Sequence, residues 1–289
     1  MSFLLALLAA QVGPFATSGS QPVSPLPPEV VEQKALERKK RREAAGSAPV
    51  QAPPVPSRLA SCLSAVDADP AEAAQAAEEW AGKAKATEKA QAGQCLGLAL
   101  SRLNRWDEAE TAFLAARDAA AENDRALRAR LGAMAGNAAL ARNDAVTALT
   151  ALDAAHRDAQ TAGNAPMAGD IAIDRARALV ALGRSGEAAD ALAEARAAMP
   201  GNAQAWLLSA TLSRRMGKLA EAQQQIEKAA ELLPIDPVIG LEAGRIAVLA
   251  GKDEAARKSW QSVIDAAPKN ESAAQARAYL EQLGPLQGP

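Results

Sequence analysis

Aromatic residues make up only 3% of the 289-residue chain, although 49% of it is hydrophobic. That shortage excludes a core built on large rings, and with it most β-rich folds. The apolar content rests on small and aliphatic side chains, and alanine alone is about a quarter of the chain. Alanine is the strongest helix former and the poorest filler of space, so the composition calls for many closely packed helices. Histidine and cysteine are as scarce: His156, Cys62 and Cys95 are the whole supply. It cannot build a structural zinc site of four Cys or His ligands, and it leaves one imidazole for a Ser-His-Asp or Cys-His catalyst. His156 lies on a polar helical stretch, Leu152 to Arg157. There it reads as a surface or partly buried helix residue rather than a catalyst, which would need oriented partners. The net charge of −2 offers no basic field for nucleic acid. With no nucleotide loop, zinc set or triad in the sequence, neither enzymatic activity nor a cofactor or metal is expected.

Long apolar runs are missing too. A membrane-spanning helix takes about 20 residues, and the run Phe3 to Ala10 falls far short. It has the length of a signal-peptide core, with small residues at Ala16-Thr17-Ser18 and at Leu8-Ala9-Ala10 for cleavage. No Lys or Arg precedes it, and no cysteine follows closely enough for a lipoprotein anchor. Residues 1–18 therefore read as a signal-peptide-like segment; a frayed or buried N-terminal helix is the alternative. Residues 19–57 form a Pro-rich charged linker. Pro22, Pro25, Pro27, Pro28, Pro53, Pro54 and Pro56 keep it extended, and it is too poor in apolar surface to fold alone. Its basic patch around Lys39-Lys40-Arg41-Arg42 reads as solvated linker; a short oligomerising helix and attraction to anionic surfaces are the alternatives.

From Arg58 onward the chain repeats. Pro200, Pro234 and Pro268 are separated by steps of 34, and so are Gly183-Arg184, Gly217-Lys218 and Gly251-Lys252. Ala188, Ala222 and Ala256 keep the step, as do Leu192, Ile226 and Trp260. Four ladders with one period of 34 specify stacked helix-turn-helix units. The small residues suit close helix approach, the glycines a turn with positive φ, and the prolines the ends of second helices.

On these residues the chain resembles a tetratricopeptide-repeat protein of the exported bacterial type. The clearest unit, Ala203 to Pro234, carries Trp206, Ala210, Gly217, Ala222, Ile226 and Ala229 at the family's spacing. Pro237 to Pro268 and Gly169 to Pro200 match it well. Gly97, Leu100, Trp106 to Ala109 and Phe113 mark another unit, and weaker ones lie at Arg125 to Gln160 and Arg58 to Ala84. Ser209, Ser213 and Gly240 depart from the pattern, Gly240 standing where Trp206 stands one unit earlier. The spacing also stretches near Gln160 to Pro166, which calls for longer helices or a loop. The resemblance implies an all-α, right-handed helix-turn-helix solenoid over residues 58–283, its last helix from Glu271 to Leu283 acting as a cap before a tail at 284–289.

Cys62 and Cys95 are 33 residues apart, close to one repeat, and fall at near-equivalent places on consecutive first helices. Export to an oxidising compartment would pair them; two buried thiols in helix contacts are the alternative.

The family resemblance further implies a concave face, lined by first helices, that binds a peptide or helix of a partner. In this register its inner stripe is Leu98 and Arg102; Ile173 and Arg177; Leu207, Thr211 and Arg214; and Leu241, Arg245 and Val248. The arginines suit acidic or C-terminal peptide segments through bidentate pairing; alternatively they are solvated or paired with Asp170, Asp174 and Glu242. The expected function is a non-enzymatic interaction scaffold outside the cytoplasm, in the periplasm, with protein partners and no nucleic acid; a self-assembling envelope protein is the other reading.

Overall fold

The computed structural model describes residues 33–40 and 57–284. The signal-like segment at 1–18 lies outside the described residues, as do most of the linker and all of the tail except Gly284. Within the linker, residues 33–40 are helical and exposed. The rest is a run of helices: α1 (Arg58–Ala68), α2 (Pro70–Lys83), α3 (Thr87–Arg102), α4 (Trp106–Ala119), α5 (Arg125–Ala141), α6 (Ala145–Thr161), α7 (Ala165–Ala181), α8 (Ser185–Ala198), α9 (Ala203–Arg215), α10 (Leu219–Leu232), α11 (Pro237–Leu249), α12 (Asp253–Ala266) and α13 (Glu271–Leu283). There is no strand among the described residues. Odd-numbered helices up to α11 are the first helices of six pairs, and α13 closes the array against α12 and α11.

From α3 onward each first helix ends in a residue with positive φ, Asn104, Asn143, Gly183, Gly217 and Gly251 in turn, and Gly163 does the same after the second helix α6. The next residue then turns its N–H back on the helix, as Arg184 does to the Leu179 carbonyl at 2.8 Å and Arg105 to Leu100 at 2.9 Å. This satisfies carbonyls that a helix end would otherwise orphan. Three second helices, α4, α8 and α10, open on a basic residue paired with the glutamate three positions on, as Arg105 with Glu108 at 2.5 Å and Arg184 with Glu187 at 2.6 Å. First helices other than α3 open on side-chain caps, for example Asn202 accepting from the Gln204 and Ala205 N–H groups and Asp236 from those of Val238 and Ile239.

Within a pair, one contact sets the helix separation. A Cβ at Gly97 would lie 2.5 Å from the Phe113 ring, one at Gly136 2.5 Å from Leu152, and one at Gly244 2.1 Å from the Trp260 indole. Opposite Leu192 and Ile226 alanine stands instead, at Ala176 and Ala210, both buried. A small residue thus faces a large one in each of these five pairs, as close helix packing requires. The resulting core is a series of small clusters handed from unit to unit, the arrangement of a solenoid whose stability sums over neighbours.

The stretched spacing in the middle is taken up by helix length. Helices α5, α6 and α7 have 17 residues each, against 13 or 14 in the pairs that follow. No long loop forms at Gln160 to Pro166: only Ala162, Gly163 and Asn164 turn, because Asn164 caps α7 and Pro166 sits in its first turn, where a missing N–H is harmless. At the other end, α1 is joined to α3 by a Cys62–Cys95 disulfide with Cα atoms 6.2 Å apart. Both cysteines belong to the small apolar cluster of Val66, Ala73, Ala77 and Ala99.

Candidate functional site

The residues of the inner stripe separate into three places. Leu98 is half-buried against the disulfide cluster, and Arg102 is exposed, its guanidinium 3.0 Å from Asp67 of α1. Leu207 and Leu241 belong to the core: Leu207 packs beside Ile226, and Leu241 is buried, its carbonyl accepting the Trp260 indole N–H at 3.1 Å. The remaining six line two grooves between successive first helices.

The first groove separates α7 from α9. Ile173, Ala176 and Val180 form one wall, Leu208, Thr211 and Leu212 the other, and Leu192 of α8 the floor, around a cavity of about 200 Å³. Arg177 and Arg215 stand at its rim. Helices α7 and α9, like α3 and α5, approach each other less closely than α5/α7, α9/α11 and α11/α13 do, and here apolar side chains face open space. Arg177 is held by Asp174 of its own helix at 2.6 Å. Arg215 is exposed and forms no ion pair among the described residues. Asp174 also accepts from Asn137 of α5 at 2.8 Å, and its charge, after burial, is the second cause that raises the Asp170 carboxyl above the usual range.

The second groove, of about 360 Å³, lies between α11 and α13 and is lined by Arg214, Arg245, Val248, Leu249, Tyr279 and Leu283. Its arginines are engaged. Glu242, itself buried, takes Arg214 at 2.6 Å and Arg245 at 3.4 Å, and the Arg245 guanidinium lies 5.6 Å from the centre of the Tyr279 ring. All four arginines assigned to the stripe, Arg102, Arg177, Arg214 and Arg245, thus already have carboxylate partners.

The stripe register finds one side of each first helix and misses the other. Ile173 and Arg177 face α9, but α9 answers with Leu208, Thr211, Leu212 and Arg215, a face one residue round from Leu207 and Arg214. The signal was present: Leu208, Thr211, Leu212 and Arg215 recur at three and four residues, the period of a second helical stripe. His156 is buried on α6, with Nε2 2.8 Å from the Glu194 carboxylate, itself shared with Arg175 and Gln160. It lies between α6 and α8 and faces none of the grooves described.

No protein-family model matches the sequence, and no curated protein is significantly similar to it. Solved structures do match. The chain is similar to PilW, described as a widely conserved type IV pilus biogenesis factor (16% identity, 77% of this chain and 100% of that one, TM-score 0.61). It is similar also to the apo form of the quorum sensor NprR from B. thuringiensis (14% identity, 86% and 77%, TM-score 0.59), and to BtubC from P. vanneervenii (15% identity, 81% and 96%, TM-score 0.57). At these identities the likeness is one of fold. Together with the 34-residue ladders and the paired helices, it makes the array a tetratricopeptide-repeat fold.

Proposed function

We propose that this protein is a non-enzymatic interaction scaffold that holds a peptide or helix of a partner protein along its first helices, with the groove between α7 and α9 as the anchoring point. One observation carries the reading: an open, almost wholly apolar slot between two repeats, with Arg215 free at its edge. An apolar side chain of the partner would enter between Val180 and Leu208, and a carboxylate beside it would meet Arg215 in the bidentate geometry that guanidinium favours. Ile173, Arg177 and Thr211 belong to this seat. Arg214, Arg245 and Val248 flank it, with their cations engaged by Glu242.

The setting we propose is outside the cytoplasm, in the periplasm. The signal-like run at Phe3 to Ala10 and the Cys62–Cys95 pair support it, since such bonds persist in oxidising compartments. No helix among the described residues is long and apolar enough to cross a membrane. The test is recovery of partners from native envelope extracts by the wild type, by Thr211→Trp, which fills the slot, and by Arg215→Glu, with Arg102→Ala as a control. A protein retained by wild type and control and lost by both groove variants supports the seat; equal retention by all four refutes it. Light scattering on the purified chain separates this reading from self-assembly, and N-terminal sequencing that finds Met1 intact would remove the export claim.

A further inference from the structure

A second cavity lies away from the first-helix grooves, at the connection between α10 and α11. It measures about 520 Å³, and Pro234, Ile235, Gly240, Val263, Asp265 and Ala266 are among its walls. One 34-residue step earlier the same place is filled. Trp206 stands where Gly240 stands, packs on the cluster that includes Ala203, Ile226 and Ala229, donates its indole N–H to the Pro200 carbonyl at 3.0 Å, and carries the Arg196 guanidinium 5.0 Å from its ring centre. In the later unit the indole is gone and Leu232 is replaced at its equivalent by Ala266. Val263, the counterpart of Ala229, leans toward the vacancy, so that a Cβ on Gly240 would fall 2.5 Å from its Cγ2. Valine recovers only part of the volume that indole and leucine occupy one unit before.

Ile235 lines this cavity and is exposed. With Leu233 and Val238, each at least half exposed within the same six-residue stretch, it makes up three of the six large hydrophobic residues exposed among the described residues. Such a local concentration favours a contact surface. The charged residues in the lining are Asp236 and Asp265, and no Lys or Arg lines it. Asp236 caps α11 through Oδ1, and Asp265 accepts from Gln261 at 2.8 Å.

We propose that this cavity receives a tryptophan side chain from a partner polypeptide, with a lysine or arginine next to it in the partner sequence. The preceding repeat identifies the occupant: it shows an indole seated in the equivalent walls. The Pro234 carbonyl stands at the place of the acceptor that Pro200 supplies, and the two aspartates favour a cationic neighbour in place of the intramolecular Arg196, whose own equivalent here is Ala230. The inference does not depend on the α7–α9 groove.

The test uses the full chain labelled with ¹⁵N and an amidated lysine-tryptophan-lysine peptide, with the alanine-centred peptide as control. Saturable amide shifts are expected at residues 235–240 and 262–266 with the tryptophan peptide and not with the control. The double variant Gly240→Trp/Val263→Ala rebuilds the Trp206–Ala229 arrangement, and it should melt at a higher temperature and lose those shifts. Ala266→Leu restores the missing leucine from an exposed position and should weaken binding even if the double variant does not fold. Shifts that are absent in the wild type, or unchanged in a folded filled variant, overturn the proposal. So does a wild-type homo-oligomer that the filled variant dissociates, since the occupant would then be a second copy of this chain.

Discussion

Gly244→Ala is the sharpest probe of what holds each repeat together. In an ordinary helix interior this change stabilises by up to about 1 kcal/mol, because glycine loses more backbone freedom on folding. At Gly244 the new Cβ would sit 2.1 Å from Nε1 of Trp260, a buried indole whose N–H is also committed to the Leu241 carbonyl at 3.1 Å. The ring cannot yield without breaking that bond, so overpacking of about 1–3 kcal/mol is expected. The propensity gain offsets part of it and leaves a net loss of up to about 2 kcal/mol. For a chain of this size that corresponds to a fall in Tm of up to about 8 °C. The decisive step is the second background. Trp260→Ile copies the Ala210–Ile226 pair of the preceding unit and is destabilising alone, since it removes a buried ring and a hydrogen bond. With the indole gone, Gly244→Ala should reverse sign and stabilise, giving a coupling of about 2 kcal/mol by urea unfolding followed by helical circular dichroism. Gly82→Ala in the last turn of α2, where a Cβ would meet nothing within 4 Å, is the control and should be neutral or stabilising. If Gly244→Ala costs the same in both backgrounds, the matching of small and large residues is not what sets the helix separation.

Four further outcomes follow from the same structure. Asp158 is buried among Arg117, Arg125 and Arg128, at 3.3, 2.9 and 4.0 Å, so Asp158→Ala should destabilise by about 3 kcal/mol in chemical unfolding, leaving crowded guanidinium groups without their counter-charge. Reducing Cys62–Cys95, which closes a 33-residue separation, should lower stability by about 3–4 kcal/mol, with hydrogen exchange rising first in α1 and leaving α9 to α12 protected. Asp170 has its carboxyl raised by burial and by Asp174, so its charged form is disfavoured in the folded state: Asp170→Asn should raise Tm at neutral pH, and the gain should vanish as pH falls through the raised value. Ala222→Arg should lower helical signal and Tm far more than Gln224→Arg on the same helix, because Ala222 is fully buried and Gln224 exposed.

The features legible in the sequence are those that recur locally. Gly183, Gly217 and Gly251 announce their turns because few residues accept positive φ, whereas Asn104 and Asn143 do the same work with a side chain that also serves many other roles, and so the upstream units look degenerate. The ladder of Leu192, Ile226 and Trp260 against Ala176, Ala210 and Gly244 is visible because packing within a pair repeats with the period. The length of α5 to α7 is harder to see: Gly163, Asn164 and Pro166 look like a loop, yet a cap, a turn glycine and a first-turn proline occupy the same few letters. Least legible are contacts between units. Glu242 with Arg245 is a local pair three residues apart, and pairing with Glu242 is open in the sequence. That Arg214 reaches it from α9 while Arg215 is left free depends on how far each first helix stands from the next, and no local pattern encodes that distance.

That distance also explains why one groove is a better seat than its neighbours. Between α9 and α11 the gap is closed by the Arg214–Glu242 pair at 2.6 Å, with both side chains largely hidden from water. A ligand carboxylate competing for Arg214 would take from buried Glu242 its closer partner and leave it only Arg245 at 3.4 Å, a cost set against the new ion pair. Between α5 and α7 the polar link Asn137–Asp174 occupies the corresponding space. Between α7 and α9 no such link crosses, the walls are aliphatic, and water is displaced from Ile173, Val180 and Leu208 without breaking a polar contact. Covering such walls gains about 25 cal/mol per Å² of apolar surface toward the entropy cost of association. On the proposed function, affinity along the stripe would be concentrated where the repeats part. The paired arginines on either side would then set the register of a bound chain, and Arg215 is the one cation among these rim arginines that such a chain could take without first displacing a partner.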